Sequence, residues 1–392
     1  IVEKDPNYAG AEGSEVGLAS KLYRSVGATQ TNLNTNNATV TIADNTATFS
    51  SALSSLIGVG DAIEYYKTSS LRKLAFITAR VSSTTYSVAN WDGDLPIATT
   101  TATALVYRPF ATLSNWAQAT TTTANSNFDA AVKALAVPGQ DLVASNTSLL
   151  VSCYNDALDT ATVTITGWTT DSSHYIKIYT PHTASQVGTT QRHTGKWDTA
   201  GYRLEVTNSN GLDIRDNNVR VEGLQIKLNM SDNIGYGGIS FLTLSEPDST
   251  DQRAAWNIIT ASNSGSGNAY GIIAASPDNT TTRFFSNIIY DLDYGLYVAN
   301  ANSYIYNNTT YNCDTGIYGT STTKVVENLA QACGTDTCFV SSVADTWGEN
   351  SDRNLSSDNT APGTNAQKSA TINFKDSTNH DFHLAATDTI AR

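Results

Sequence analysis

Between Asn257 and Ala330 the chain repeats itself, and a chain repeating at this spacing has few folds open to it. Asn257-Ile-Ile-Thr260, Asn287-Ile-Ile-Tyr290, Asn308-Thr-Thr-Tyr311 and Asn328-Leu-Ala-Gln331 are four versions of one motif. The first three are followed by Gly271-Ile272, Gly295-Leu296 and Gly316-Ile317. Asn287, Asn308 and Asn328 lie 21 and 20 residues apart, a period that holds a short strand, a polar turn and a second short strand, which is one coil of a solenoid. A lone coil leaves its apolar face open, so coils stack at about 4.8 Å and set equivalent side chains above one another. Asn257, Asn287, Asn308 and Asn328 then form a structural ladder, because buried amides must be hydrogen-bonded.

The rest of the chain divides around this repeat. Residues 1–110 carry alternating segments at Ala38–Ile42, Ala62–Tyr66, Leu74–Thr78, Thr85–Val88 and Ala102–Tyr107, the period-two pattern of a small antiparallel β domain. Residues 111–144 form a linker with a short capping helix over Asn127–Leu135, Asn127 serving as N-cap and Pro138-Gly139 as the stop. Such a helix covers the open end of the first coil, where unpaired strand edges recruit other chains. Residues 145–370 read as the solenoid, and 371–392 hold closing strands at Thr371–Lys375 and Asp381–Leu384.

Charged residues make up only 15 % of the chain, and Thr, Ser and Asn fill the polar positions, which suits β turns better than helix surfaces. The formal net charge of −13 argues against a nucleic-acid partner, which requires a basic face. No apolar run approaches the roughly 20 residues of a membrane span. The chain starts at Ile1 without a basic leader, which leads to the expectation of a removed signal segment and a secreted, extracellular or cell-surface protein. Of the four cysteines, Cys333 and Cys338 flank a short polar loop and are the favoured pair for a local disulfide worth roughly 2 kcal/mol, with zinc the lesser alternative because no second Cys or His pair stands at ligand spacing. Cys313, one coil earlier, is the rival partner, and Cys153 is expected to be reduced and buried.

Asn287-Ile-Ile-Tyr290, Asn308-Thr-Thr-Tyr311, the Gly-Ile pairs and Asp381-Phe-His-Leu384 resemble the right-handed parallel β-helix (pectate-lyase-like) superfamily. Ser185–Gly188, Gln191–Asp198 and Tyr202–Leu204 look like secreted β-helix surface proteins of unassigned function from uncultured bacteria. The resemblance implies an all-β fold, a right-handed parallel β-helix solenoid behind a small antiparallel β domain and a short capping helix. Many members of the wider superfamily cleave acidic polysaccharides with Asp-bound calcium and a basic residue. No run here matches those catalytic motifs.

Three groups of residues invite chemistry. Arg192, His193, Trp197, Asp198 and Tyr202 are the densest polar and aromatic cluster, suited to sugar faces and edges, although a loop folded on its own Trp and Arg-Asp pair is the plainer reading. Asp291 and Asp293 sit at a coil turn as a calcium candidate, as do Asp92 and Asp94, but Ca²⁺ takes six or more oxygens and a solvated turn explains them as well. No cofactor is expected, calcium being the one candidate. Outward charges at Arg203, Glu205, Arg215, Arg220, Glu222 and Lys227 alternate in sign, as surface ion pairs do.

Two functions follow as expectations. The first is a non-enzymatic structural subunit of an exported assembly, a filament among the options, whose partners are copies of itself, with Ile1-Val2-Glu3 adding a strand to a neighbour. The alternative is a carbohydrate-active protein, lyase, hydrolase or glycan-binding module, that uses the helix flank on a polysaccharide.

Overall fold

The computed structural model describes residues 19–68, 71–136, 141–242, 250–275, 280–299, 302–334, 337–343 and 346–391. Ile1, Val2 and Glu3 lie outside the described residues. The fold is a parallel β-helix solenoid carrying a small β-barrel and short helical pieces.

One coil runs through Val219–Glu222, Gln225–Met230 and Tyr236–Phe241, and the next through Thr250–Ala255, Ile258–Asn263 and Ala269–Ala274. The first strand of every coil joins one eight-stranded parallel sheet, and the other two join a second sheet. Later coils are tighter. Their second and third strands fuse into Ile288–Val298 and Thr309–Gly319, bent where Asp291 and Asn312 take positive φ of 59° and 50°. The period of about twenty therefore belongs to the tight coils, while the coils before Asn257 and Asn287 are lengthened by their corners. Strict register threads apolar columns through the interior, for example Val221, Ala254, Phe284, Ile305 and Val325, all fully buried.

The asparagine ladder has five members, since Asn354 extends it. Each Nδ2 donates to the Oδ1 of the next Asn, at 3.0, 2.9, 3.0 and 3.1 Å from Asn257 to Asn354. Each backbone N–H donates to the same Oδ1. The residue before each, Trp256, Ser286, Asn307, Glu327 or Arg353, has φ between 54° and 57°. Non-glycine residues resist this conformation by about 1–2 kcal/mol, and the amide that follows holds it. Across the coil, Gly211, Gly238, Gly271, Gly295 and Gly316 stack so closely that an added Cβ would lie under 3.0 Å from the carbonyl oxygen of the next rung, which is why the Gly-aliphatic pairs recur.

The N-terminal boundary differs from the sequence reading. Ser20–Val26 pairs in parallel with Thr147–Cys153 and is the first strand of the eight-stranded sheet, so the small domain is an insertion. It is a closed six-stranded antiparallel barrel built from Thr39–Ala43, Thr46–Phe49, Ala62–Thr68, Leu71–Arg80, Thr85–Ala89 and Thr99–Tyr107. The capping helix also differs. It is confined to Ala130–Lys133 with Asp129 as N-cap, whose carboxylate accepts the Ala131 N–H, while Asn127 donates its amide to the Gln30 carbonyl and the Asn125 side chain. A second short helix, Leu113–Ala117, carries Trp116, which stacks on Trp168 with centroids 5.6 Å apart. Trp116, Phe128 and Val132 join the solenoid core. No described helix is long and apolar enough to cross a membrane.

Candidate functional site

The cluster expected to meet sugars is half-buried, with Tyr202 fully buried, and its members are tied to the protein itself. Arg192 lies over the Trp256 ring at 5.6 Å and its Nε donates to Thr180 Oγ1 at 3.2 Å. His193 Nδ1 accepts the Gly195 N–H at 3.1 Å, which leaves Nε2 to donate to the Trp256 carbonyl at 2.7 Å. Burial pushes the His193 imidazole down to about 4, since a second proton would sit against the Gly195 N–H. The Asp198 backbone is held from both sides by the Gln225 side chain, at 2.6 and 2.8 Å. Tyr202 is buried and donates to Asp159 Oδ2 at 2.9 Å. That same carboxylate accepts the Leu113 N–H, tying the loop to the first helix.

This loop is a clasp for the C-terminal hairpin Phe374–Asp376 and Asp381–Leu384. Lys196 bridges Asp381 in antiparallel pairing, and His383 Nε2 contacts the Thr194 carbonyl at 2.9 Å. Trp197 packs with Ile258, Tyr290 and Phe382. His380 stacks on Tyr290 at 4.4 Å and approaches Asp291 at 3.2 Å. The tail thus covers an aromatic column on the solenoid, Tyr290 above Tyr311. Its partners come from a loop 189 residues earlier in the chain, a link that no periodicity announces.

Asp291 accepts from Asn312 at 2.7 Å. Asp293 accepts from Asn263 and from the Ala269 N–H. The two carboxylates point to different partners, and among the described residues no group of three or more His, Cys, Asp or Glu is placed to hold a metal. Asp92 accepts from the Asp94 N–H within its own turn. Cys333 and Cys338 are joined in a disulfide with Cα atoms 5.3 Å apart, and Cys153 and Cys313 are buried free thiols.

Two features were not read from the sequence. One is a cationic column on the outer face of the eight-stranded sheet: Lys177, Arg220, Arg253, Arg283, Tyr304 and Lys324 occupy one register position on six successive strands. Asp251 accepts from Arg253 and Arg283 and lies 3.8 Å from Arg220. Burial opposes its ionisation, but the three guanidiniums, Arg253 first, hold the Asp251 carboxyl below the usual carboxylate range. A signal existed, since Arg253, Arg283, Tyr304 and Lys324 each stand four residues before a ladder asparagine. Strand alternation also points Gln225 outward, but it is fully buried beneath the clasp.

The other is the junction of barrel and solenoid. Arg108 is fully buried and binds Asp61 at 2.5 and 2.6 Å and Asp156 at 3.0 and 3.2 Å, with its guanidinium 3.6 Å over the Tyr154 ring. Burial penalises its charge, but Asp61 and Asp156 more than compensate and hold the proton. Arg24 donates to the carbonyls of Ala136, Tyr23 and Trp91 and lies 3.9 Å over Phe76, and burial lowers it to about 9.

No family model, curated protein or solved structure matches the chain.

Proposed function

We propose that this chain is a structural subunit of an exported, extracellular or cell-surface assembly, built on a pectate-lyase-like right-handed β-helix, and that its partners are copies of itself. The observation that carries this is the clasp. Of the residues richest in potential chemistry, Arg192, His193, Asp198 and Tyr202 are committed to bonds and ring contacts within the solenoid, while Thr194, Lys196 and Trp197 of the same loop fasten the tail across the coils. The asparagine and glycine ladders and the Cys333–Cys338 bond add stiffness of the kind a rod under tension needs, and a disulfide suits an oxidising compartment. Negative-stain imaging and sedimentation velocity across a concentration series test it: growth of oriented multimers or fibres is expected, and monomer alone at the highest soluble concentration sinks the reading.

A carbohydrate-directed flank is the second reading, and one observation favours it. Tyr270 stacks on Tyr294 at 5.0 Å and Tyr297 on Tyr318 at 4.6 Å, a partly exposed aromatic group on the second sheet of the kind that packs against sugar faces. Incubation with a uronate polysaccharide and calcium, followed for unsaturated products, separates a lyase from a scaffold. Loss of glycan binding in Tyr297→Ala, with Trp197→Ala as the clasp variant, separates a lectin from both.

A further inference from the structure

We infer that the cationic column on the eight-stranded sheet is a lateral docking surface for the acidic corner of a second copy of this chain, a proposal that rests on the structural-subunit reading. Five cations, Lys177, Arg220, Arg253, Arg283 and Lys324, lie along the solenoid axis on this face. Two anions face them, Glu222 on Lys177 at 2.7 Å and Asp251 among the arginines, so five minus two leaves an excess of three positive charges. The chain as a whole carries −13. A basic strip on so acidic a molecule is matched best by another part of the same molecule.

That part is the corner between the second and third strands of each coil, half a coil of chain away. Asp232, Asp293, Asp314 and Asp358 mark it. Asp293 and Asp314 sit on adjacent rungs in register, Asp232 holds Tyr236 at 2.8 Å on an earlier coil, and Asp358 holds the Cys338 N–H at 2.8 Å on a later one. Asp314 is exposed. Both lines of charge are drawn from the same stacked strands, so they share one pitch of about 4.8 Å, and a basic strip can lie along an acidic corner over several rungs without slipping out of phase. The contact joins unlike surfaces, so each docked copy still offers one strip and one corner, and the contact propagates from copy to copy unless the rotation closes a ring. Asp251 clamps the arginines, so little side-chain freedom is lost on docking.

Sedimentation velocity on the full chain tests this in three arms. Raising NaCl is expected to weaken self-association of the wild type, because screening removes the strip-to-corner attraction; if only net repulsion between acidic copies mattered, salt would strengthen it. Lys324→Glu and Asp314→Lys, each verified as folded by circular dichroism, are each expected to lower the association constant by about tenfold or more. Mixing the two variants is expected to restore it, since the reversed strip of one then faces the reversed corner of the other. Wild type that assembles indifferently to salt, with inert variants or no rescue on mixing, overturns this inference and leaves the subunit reading standing. Monomer under every condition overturns both. Polygalacturonate is run beside them: if Lys324→Glu loses that polymer while self-association is unchanged, the strip serves an anionic ligand and the proposal falls.

Discussion

Inside the solenoid, rung meets rung through neutral, repeated contacts, whereas barrel meets solenoid through buried charge used once. The five-membered asparagine ladder and the glycine stack make the same bond at each step, so each added coil finds a template already in place. The junction has no template. Arg108 reaches Asp61, which lies next to the barrel strand Ala62–Thr68, and Asp156 just beyond the solenoid strand Thr147–Cys153, while Ser25 Oγ donates to Asp61 at 2.6 Å. A one-off contact between unlike surfaces has to be fixed in orientation by a few directional groups, and a guanidinium between two carboxylates supplies that. The cost of misplacing one member is correspondingly larger than at any single rung.

The largest expected effect follows directly. Arg108→Met leaves Asp61 and Asp156 as uncompensated buried carboxylates, and urea unfolding is expected to register a loss of about 3–5 kcal/mol. Adding Asp61→Asn and Asp156→Asn to the same chain should recover part of it, because the unpaired charges are then gone. A loss under about 1 kcal/mol for Arg108→Met would erase the contrast between junction and rungs.

The clasp comes next, and pH reads it. His193 titrates near 4 in the folded chain against about 6.5 unfolded. Between these values the unfolded chain binds a proton that the folded one refuses, so stability is intact above pH 6.5 and falls as pH drops toward 4. The loss reaches on the order of 3 kcal/mol at pH 4. His193→Gln should flatten that part of the stability-pH curve. An unchanged slope would mean that His193 is not held by Gly195 and Trp256 in solution.

At the rungs, Asn308→Ala withdraws the acceptor of Asn287 and the donor to the Phe284 carbonyl. About 2 kcal/mol is expected in thermal unfolding, with a similar value for Asn287→Ala, since the two sites are chemically equivalent. Unequal values would show that the ladder is not the uniform element its geometry describes.

What could be read from the sequence divides along the same line. Asn257, Asn287, Asn308 and Asn328 declare themselves by repetition, and five of the six barrel strands by alternation, Thr46–Phe49 being too short to show it, because period and burial are local properties of a stretch of chain. Asn354 escaped because its coil is 26 residues from Asn328, outside the short period. Ser20–Val26 escaped because its partner strand begins 127 residues later, and nothing local distinguishes a solenoid strand from a barrel strand. Arg24 and Arg108 look like surface residues until a fold encloses them. At the clasp the residue types were legible and their direction was not. Trp197 and His193 suit a sugar as well as they suit the protein itself, and only the folded chain decides which they meet, Trp197 packing on Phe382 from the far end of the chain and His193 on the Trp256 carbonyl.

The smallest expected effect sharpens the comparison by repeating the chemistry of Arg108 in the open. Arg353 and Glu327 pair at 2.6 Å with side chains 61 % and 40 % exposed, so water competes for both groups and salt screens them. Glu327→Gln keeps the shape and removes the charge, and a change below about 1 kcal/mol is expected. Both residues hold the left-handed conformation before a ladder asparagine, so any larger loss would have to come through the turn. Glu327→Gly tells the two apart: it removes the charge as Glu327→Gln does and also relieves that backbone, so the difference in stability between the Gly and Gln variants measures the turn separately from the ion pair. The same bond length, 2.6 Å here and 2.5 Å at Arg108, would then correspond to effects several-fold apart, with burial as the variable that separates them.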